Sequence, residues 1–242
     1  MGIVIFNNVS SADYGILVEH PPGYHTPQRD YEKVHIPGRN GDLVIDNESY
    51  ENVPRSYDIA FGNLEKDFAR MANAASEWLN NANGYARLED TYEPEYYRIA
   101  MYQESVNFEN ILRHAGRATI NFDCKPQRFL KAGDDVIEIN STIILRNPTF
   151  RTAEPIITVY GSGSGTLRVG NYTVVIDSID EWVTIDSALR DVYKKTQYEV
   201  INKNDTVRMD SNGYPMLLIG ETSISFSGSI TKLEVIPKWW TI

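Results

Sequence analysis

Cysteine is almost absent from this sequence, since Cys124 is the only one among 242 residues. A single cysteine excludes an intrachain disulfide and a zinc site built from several thiolates, and it is typical of proteins made in a reducing compartment. In residues 118–124 apolar and polar side chains alternate, and Cys124 falls on the same face as Ile120 and Phe122. We therefore expect Cys124 to be a core residue and not a nucleophile.

Clustered basic residues and long apolar runs are also missing. The formal net charge is -10, and the longest basic run is the pair Lys194-Lys195. Binding to a nucleic-acid backbone requires clustered Lys and Arg, so we expect no nucleic-acid partner. Near the amino terminus the apolar run Ile3–Phe6 is too short for a signal peptide or a membrane span. We therefore expect no membrane insertion.

The sequence patterns of enzyme and metal sites are missing as well. His20, His25, His35 and His114 lack the helical spacing and the carboxylate companions of a metal site. Residues 161–165, Gly-Ser-Gly-Ser-Gly, match the letters of a nucleophile elbow, but a strand pattern follows where an elbow or a phosphate loop needs a helix. We interpret these glycines as a hairpin turn, and the acidic pairs of the chain as solvated. We predict no enzyme, no metal and no cofactor.

One amphipathic helix stands out among many short strand patterns. The apolar residues from Leu64 to Leu79 fall on a single stripe of a helix. Asn63 is suited to cap its amino terminus, and Asn83-Gly84 is suited to end it in a left-handed conformation. The first half of the chain is therefore predicted to be a β-sandwich-like domain with one helix.

Residues 125–135 break the strand pattern and predict a linker or a crossover. Beyond them, short strand patterns are separated by glycine turns, for example at Gly228, and no comparable helix pattern follows. This arrangement is typical of a β-sandwich. We therefore predict a mainly β fold with two domains, residues 1–133 with the helix and residues 134–242 with strands alone.

The segment 35–46 (HIPGRNGDLVID) places Arg39 between two turn signals. Pro37-Gly38 fits the centre of a type II turn, and Asn40-Gly41 fits a type I′ turn. A strand pattern follows, so the segment is predicted to close a hairpin that holds Arg39 outward. An arginine there is either an ordinary solvated charge or a forked donor for carboxylates on a partner.

Several segments of the chain form an ordered set. In the first half they are 36-IPGRNGDL-43, 50-YENV-53, a helix ending in Trp78-Leu79, 84-GYARLEDTYEPEYYRIA-100 and 118-ATINFDCKPQRF-129, and in the second half they are 147-NPTFRTAEPIITVYGSGSGTL-167, 220-GETSISFSG-228 and 237-PKWW-240. Together they resemble the distal tail proteins of long, non-contractile-tailed bacteriophages over nearly the whole chain. Thr222 and Lys238 stand where relatives often carry Asn and Arg, which concerns only local turn and strand-end contacts.

The resemblance implies a structural protein of the virion tail tip, made in the cytoplasm of the host bacterium. It implies a homo-hexameric ring, formed by the first domain, that joins the tail tube protein to the tail-tip hub and carries the adsorption apparatus, with a receptor-binding protein as a further partner. It also implies that the second domain is a galectin-like sandwich that projects outward.

A closed ring is built from heterologous contacts, in which two different patches of one subunit meet. The Arg39 tip, with Asp42 beside it, is a candidate for one patch. The acidic pair of Glu89 and Asp90 is a candidate for the other. An interface between Arg39 and these acids is therefore expected if the chain forms a ring.

The alternative function is a carbohydrate-binding module used in recognition of the host surface. A galectin-like sandwich with Trp182, Trp239 and Trp240 offers aromatic faces on which sugar rings stack. Two observations argue against this alternative. Trp182 alternates with neighbours in a way that also fits a core residue, and the second domain has no histidine, although galectin-type sites use one.

Overall fold

The computed structural model describes residues 1–63, 65 and 67–242. The described chain is mainly β, with one α-helix, and the helix lies in the first half of the chain. The predicted fold class is therefore confirmed. No helix of the described residues has both the length and the apolar character that crossing a membrane requires.

The described chain divides into two compact units. The first comprises residues 1–128 together with Ile242, and the second comprises residues 129–241. The domain boundary predicted at residue 133 falls in a short 3-10 helix, Lys131–Asp134, which belongs to the second unit.

The first unit is built on one large sheet and a separate hairpin. Its elements are β1 (Val4–Phe6), β2 (Val9–Ser10), a 3-10 helix (Ser11–Tyr14), β3 (Ile16–Val18), β4 (Arg29–Val34), β5 (Leu43–Tyr50), β6 (Val53–Gly62), α1 (Phe68–Leu79), β7 (Ala86–Asp90), β8 (Tyr96–Tyr102), β9 (Glu109–Leu112) and β10 (Ala115–Leu130). The large sheet, which we call the main sheet, has the order β2-β1-β7-β8-β10-β6-β3, with β9 beside β10. β4 and β5 pair only with each other among the described strands.

One face of the main sheet carries the core of the first unit. Ile120, Phe122 and Cys124 are buried on this face, as the alternation of β10 predicts. Trp78 of α1 is buried in the same apolar cluster, and its Nε1 donates a hydrogen bond to the carbonyl oxygen of Val9 at 3.1 Å. The helix therefore covers the apolar face and leaves the opposite face of the sheet outward.

The ends of α1 differ from the prediction. The helix begins at Phe68 with Asp67 as its cap residue. The Oδ1 atom of Asn63 accepts a hydrogen bond from the backbone N–H of Glu65 at 2.8 Å, so its turn lies ahead of the helix. Leu64, the first position of the predicted stripe, lies outside the described residues. The stop predicted at Asn83-Gly84 is also wrong, because the helix ends earlier in the chain.

The carboxyl end of α1 is set by Asn80. The helix ends at Leu79, and Asn80 donates from its side-chain nitrogen to the carbonyl oxygen of Ser76 at 2.8 Å. The same carbonyl oxygen also accepts from the backbone N–H of Asn80 at 3.1 Å, so Asn80 closes the last turn with two hydrogen bonds. Gly84, with a φ of 104°, lies in the following turn before β7.

The second unit is a sandwich made from one folded sheet. The strands of this sheet are β11 (Ile137–Ile139), β12 (Ile143–Asn147), β13 (Ile156–Val169), β14 (Tyr172–Asp186), β15 (Asp191–Lys195), β16 (Val200–Asn202), β17 (Val207–Met209) and β18 (Gly220–Ile236). The last strand, β19 (Trp240–Thr241), pairs with β10 instead. The order is β11-β18-β13-β14-β15-β16, with β12 beside β18 and β17 beside β14. Both halves of β13 contribute to one core, since Val159 and Leu167 belong to the same buried cluster.

Two turns predicted within the second unit are wrong. Residues 161–165 and Gly228 lie inside the long strands β13 and β18, at the points where the register of the two strands shifts. A Cβ atom on Gly165 would lie 2.6 Å from Cγ1 of Ile230, so the strands approach each other too closely for a larger residue. Glycines with this spacing therefore mark a fold in the sheet.

The linker or crossover predicted for residues 125–135 is also wrong in its first half. β10 continues as a strand to Leu130. Pro126 is tolerated because the pairing of β10 with β6 ends at Cys124, so the missing N–H costs no hydrogen bond to that neighbour.

Candidate interaction surface

β4 and β5 form a hairpin, residues 29–50, with Arg39 in its loop. The backbone N–H of Arg39 donates to the carbonyl oxygen of Ile36 at 3.1 Å, and Gly38 has a φ of 82°. These values confirm the type II turn predicted at Pro37-Gly38.

The second turn predicted in this loop is wrong. A type I′ turn requires a positive φ at both central residues. Gly41 has a φ of 81°, but Asn40 is not among the residues of positive φ. The loop therefore contains one regular turn and a single left-handed glycine that leads into β5.

The base of the hairpin is held by a polar cluster. The guanidinium of Arg29 forms an ion pair with the carboxylate of Asp46, with 2.6 Å between Nη2 and Oδ2. The same guanidinium donates to the hydroxyl oxygen of Tyr50 at 3.3 Å. These bonds tie the two strands together near the main body of the unit, where the chain enters and leaves the hairpin.

The rest of the hairpin exposes apolar side chains on both faces. The register pairs Val34 with Leu43 and Lys33 with Val44, so Leu43 and Val44 point to opposite faces. Leu43 is 38%, Val44 51% and Ile45 42% exposed. A two-stranded hairpin is marginally stable by itself in water. The hairpin therefore presents an apolar surface for which this chain, within its described residues, provides no cover.

The tip adds two charged groups of opposite sign. The side chain of Arg39 is exposed and makes no hydrogen bond or ion pair within the part of the chain that the structure describes. The carboxylate of Asp42 lies 3.3 Å from Nδ1 of His35, and both of these side chains are exposed. The arginine fork is available to carboxylates of another molecule.

Asp90, one of the acids predicted to meet Arg39, lies inside the first unit. Its Oδ2 accepts hydrogen bonds from the guanidinium of Arg55 at 2.9 Å and from the hydroxyl of Tyr57 at 2.7 Å. Its Oδ1 accepts from the backbone N–H groups of Tyr92 and Glu93. The interpretation of this acid as solvated is wrong, because Asp90 is only 9% exposed.

The surroundings of Asp90 also change its proton affinity. Burial acts to raise the pKa of this carboxyl, but the hydrogen bonds from Tyr57 and Arg55, together with the charge of Arg55, outweigh burial. The pKa of Asp90 therefore lies below its ordinary value, and the group is ionised at neutral pH. Its use at an oligomer interface stays a prediction, and such use would require Arg55 to give up its partner.

Glu89 lies on the outward face of β7, and its carboxylate forms an ion pair with a neighbour on the same strand. Its Oε1 is 2.5 Å from Nε of Arg87, and its side chain is 17% exposed. The guanidinium of Arg87 also stacks over the ring of Tyr97, at 3.7 Å from its centroid. The pairing of Arg39 with Glu89 likewise stays a prediction.

A buried ionic network surrounds Glu93 and was not predicted from the sequence. This carboxylate meets Arg128 at 2.6 Å, Arg55 at 2.9 Å and Arg98 at 3.6 Å. The signal for it was present in β6, where Arg55 occupies an inward position of the alternation between Val53 and Tyr57. An arginine on the buried face of a strand requires acidic partners from elsewhere in the chain.

The three tryptophans proposed to stack sugars have different environments. Trp182 is half-buried, and Nζ of Lys194 lies 4.3 Å from its ring centroid. Trp239 is 5% exposed and belongs to the core of the second unit. Trp240 packs against that core, and its Nε1 donates to the carbonyl oxygen of Thr152 at 2.9 Å. Sugar stacking on these residues stays a prediction, and for Trp239 it would require the side chain to leave the core.

Cys124 has the environment of a core residue. It is fully buried, and burial raises the pKa of its thiol to about 12. The described residues contain no cluster of three or more His, Cys, Asp or Glu side chains with the geometry of a metal site.

Comparison with known proteins identifies the fold. No family model and no curated protein matches the sequence. Among solved structures, the chain is similar to the Dit protein (gp 19.1) of phage SPP1, with a TM-score of 0.73 at 12% identity over 97% of this chain and 98% of that one. That protein is described as a paradigm of the hub adsorption apparatus in phages that infect Gram-positive bacteria.

Two further similar structures are baseplates of phage P2. In the activated conformation with Ca, a chain of the baseplate has a TM-score of 0.54 at 10% identity over 97% of both chains. In the activated conformation with Sr, the TM-score is 0.51 at 10% identity over 97% of this chain and 98% of that one. The chain has the fold of a distal tail protein, as the resemblance implied.

Proposed function

We propose that the chain is a structural distal tail protein of a phage, which forms a homo-hexameric ring between the tail tube and the tail-tip hub. The fold supports a tail or baseplate role. The observation that carries the proposal is the hairpin of residues 29–50, which exposes apolar side chains on both faces. In the ring, this hairpin is covered by a neighbouring subunit.

The first unit has the two unlike surfaces that a ring requires. One is the hairpin, and the other is the outward face of the main sheet. Contact between unlike surfaces is heterologous, and it generates a closed ring when the rotation between subunits closes. A twofold dimer would instead join the same surface of two subunits and would leave one of these surfaces open.

The second unit is proposed to be the galectin-like appendage of the ring, in contact with the adsorption apparatus and its receptor-binding protein. Its surface presents two nearly free aromatic side chains, Phe150 at 87% and Tyr198 at 91% exposed. Both are held by ordered loops, since Asn147 donates to the carbonyl oxygen of Arg151, and Thr196 accepts from the backbone N–H of Tyr198. Exposed aromatic residues favour contacts with other proteins.

The protein is proposed to act at the tail tip of the virion after synthesis in the host cytoplasm. Neither the buried thiol of Cys124 nor the internally paired Asp90 suits a catalytic role, which supports a structural protein. The carbohydrate-binding alternative has weaker support, because Trp239 lies in the core and Lys194 covers a face of Trp182.

Sedimentation velocity over a range of protein concentrations tests the proposal. The chain of 27.5 kDa is expected to sediment as one species with the mass of a hexamer. Val44→Asp combined with Ile45→Asp places a charge on each face of the hairpin and should shift the protein to monomers. The matched control is Phe150→Asp in the second unit, which should leave the hexamer intact. A wild-type monomer at every concentration would contradict the proposal.

A further inference from the structure

A groove on the outward face of the main sheet lies where β6, β9 and β10 adjoin. The register places Asp58 of β6 opposite Thr119 of β10, and Glu109 of β9 opposite Arg117 of β10. The side chains that line the groove include Glu19, His20, Asp58, Glu109, Arg117 and Thr119. Three carboxylates therefore face one guanidinium within a concave surface.

The positive charge in the groove is already paired. Nε of Arg117 lies 3.0 Å from Oε1 of Glu19. The hydroxyl of Thr119 donates to Oδ1 of Asp58 at 2.7 Å. The carboxylate of Glu109 has no hydrogen bond or ion pair with any residue that the structure describes. The groove consequently has acceptor groups that a cationic donor from outside is able to reach.

Exposed apolar side chains flank these acids. Ile111 and Leu112 of β9 are 49% and 67% exposed, and Leu17 of β3 is 36% exposed. β9 pairs with β10 alone among the described strands, so its other edge is open. An open, apolar strand edge is a surface that another chain readily covers.

We propose that this groove is the receptor for the hairpin tip of a second copy of the chain, with Arg39 of one copy donating to Glu109 and Asp58 of the next. The two surfaces are complementary. On the hairpin, the unpaired Arg39 lies in the loop between two strands that expose apolar side chains. In the groove, the unpaired Glu109 lies on β9, which also exposes apolar side chains. The inference rests on the proposed self-assembly and names the surface that each hairpin meets.

The pairing of Arg39 with Glu109 is chemically more favourable than its pairing with Asp90. Asp90 already accepts hydrogen bonds on both oxygens from inside the first unit. An arginine fork gains most from a carboxylate with open acceptor sites, and Glu109 offers these. The contact also reduces the repulsion among the acids of the groove, so that high salt should weaken association.

A charge exchange tests the pairing in the full-length protein. Arg39→Glu and Glu109→Arg are each expected to weaken self-association about tenfold or more, because each places like charges together. Combining the two substitutions restores opposite charges and should return the dissociation constant to within a few-fold of wild type. Arg70→Glu on the exposed surface of α1 is the matched control, and it should leave association unchanged.

A cysteine experiment gives a second readout that does not depend on affinity. Mixing an Arg39→Cys variant with a Glu109→Cys variant under mild oxidation should produce a disulfide-linked dimer. Either variant alone should produce none, since Cys124 is buried. This pattern distinguishes a heterologous contact from a twofold one.

The outcomes separate this inference from the proposed function. If the wild type assembles but the single substitutions have no effect, or the double variant stays dissociated and no cross-link forms, the pairing is wrong and the ring proposal stands. If the wild type is monomeric, both are wrong. Restoration by the double variant, together with the mixed disulfide, supports both.

Discussion

Asp90→Asn should strongly destabilise the first unit, although the substitution keeps the shape of the side chain. The carboxylate of Asp90 accepts hydrogen bonds from Arg55, Tyr57 and the backbone N–H groups of Tyr92 and Glu93. An amide provides one acceptor oxygen and places a donor where the second oxygen was. At least one of these donor groups therefore loses its partner in the variant.

The expected loss follows from the burial of this pair. The side chains of Arg55 and Asp90 are 4% and 5% exposed. Removing one partner of a buried ion pair costs about 3–5 kcal/mol. Arg55 keeps its ion pair with Glu93 at 2.9 Å, so we expect a loss at the lower end, about 3 kcal/mol.

Hydrogen exchange measured by mass spectrometry assigns this loss to the correct unit. Peptides that cover β6 and β7 should exchange about a hundredfold faster in Asp90→Asn, because each 1.4 kcal/mol corresponds to about a factor of ten. Peptides of β13 in the second unit should be unchanged. Asp13→Asn, at an exposed carboxylate, is the control of equal charge change. Equal protection in Asp90→Asn and wild type would refute the importance of the buried pair.

The effect of Asp90 also depends on pH. The pKa of Asp90 is lower in the folded state than in the unfolded chain. Its contribution to folding stability is therefore complete above the unfolded pKa of about 4, and it is lost as the pH falls through the folded pKa. The stability difference between wild type and Asp90→Asn should therefore shrink below about pH 4. A difference that grew with acidification would contradict the direction of this pKa shift.

Three further experiments test other parts of the structure. Trp239→Ala should lower the stability of the second unit by about 3–5 kcal/mol in a denaturant titration. Trp182→Ala removes a half-buried ring and its contact with Lys194, and it should cost only about 1 kcal/mol. Equal losses would contradict the assignment of Trp239 to the core. Gly161→Ala should lower the stability of the second unit by about 1–3 kcal/mol, because a Cβ there collides with the carbonyl oxygen of Ser229, and a neutral result would argue against the folded sheet. The thiol of Cys124 should react with a maleimide only after denaturation, and rapid labelling of the native protein would show that it is not in the core.

The sequence predicted local patterns well where neighbouring residues decide them. The alternation that ends in Cys124 and the turn at Pro37-Gly38 depend on the residues themselves and are found in the structure. The helix start differs from the prediction because a capping residue in the sequence does not by itself begin a helix: Asn63 accepts from the N–H of Glu65, yet α1 begins at Phe68.

Features that depend on distant residues were not predictable in the same way. The glycines of residues 161–165 have the composition of a turn, and only the pairing of β13 with β14 and β18 shows that they lie where the sheet folds. The burial of Asp90 depends on Arg55, which is far away in the sequence but on a strand of the same sheet. A local pattern contains no information about either partner.

Electron microscopy of the purified protein tests the central claim most directly, since it shows both the symmetry and the contacts of the assembly. We expect a closed ring of identical subunits in which the hairpin of residues 29–50 of each copy lies against the main sheet of the next, with its tip near Glu109. Twofold dimers, open filaments or hairpins that face solvent would contradict the account.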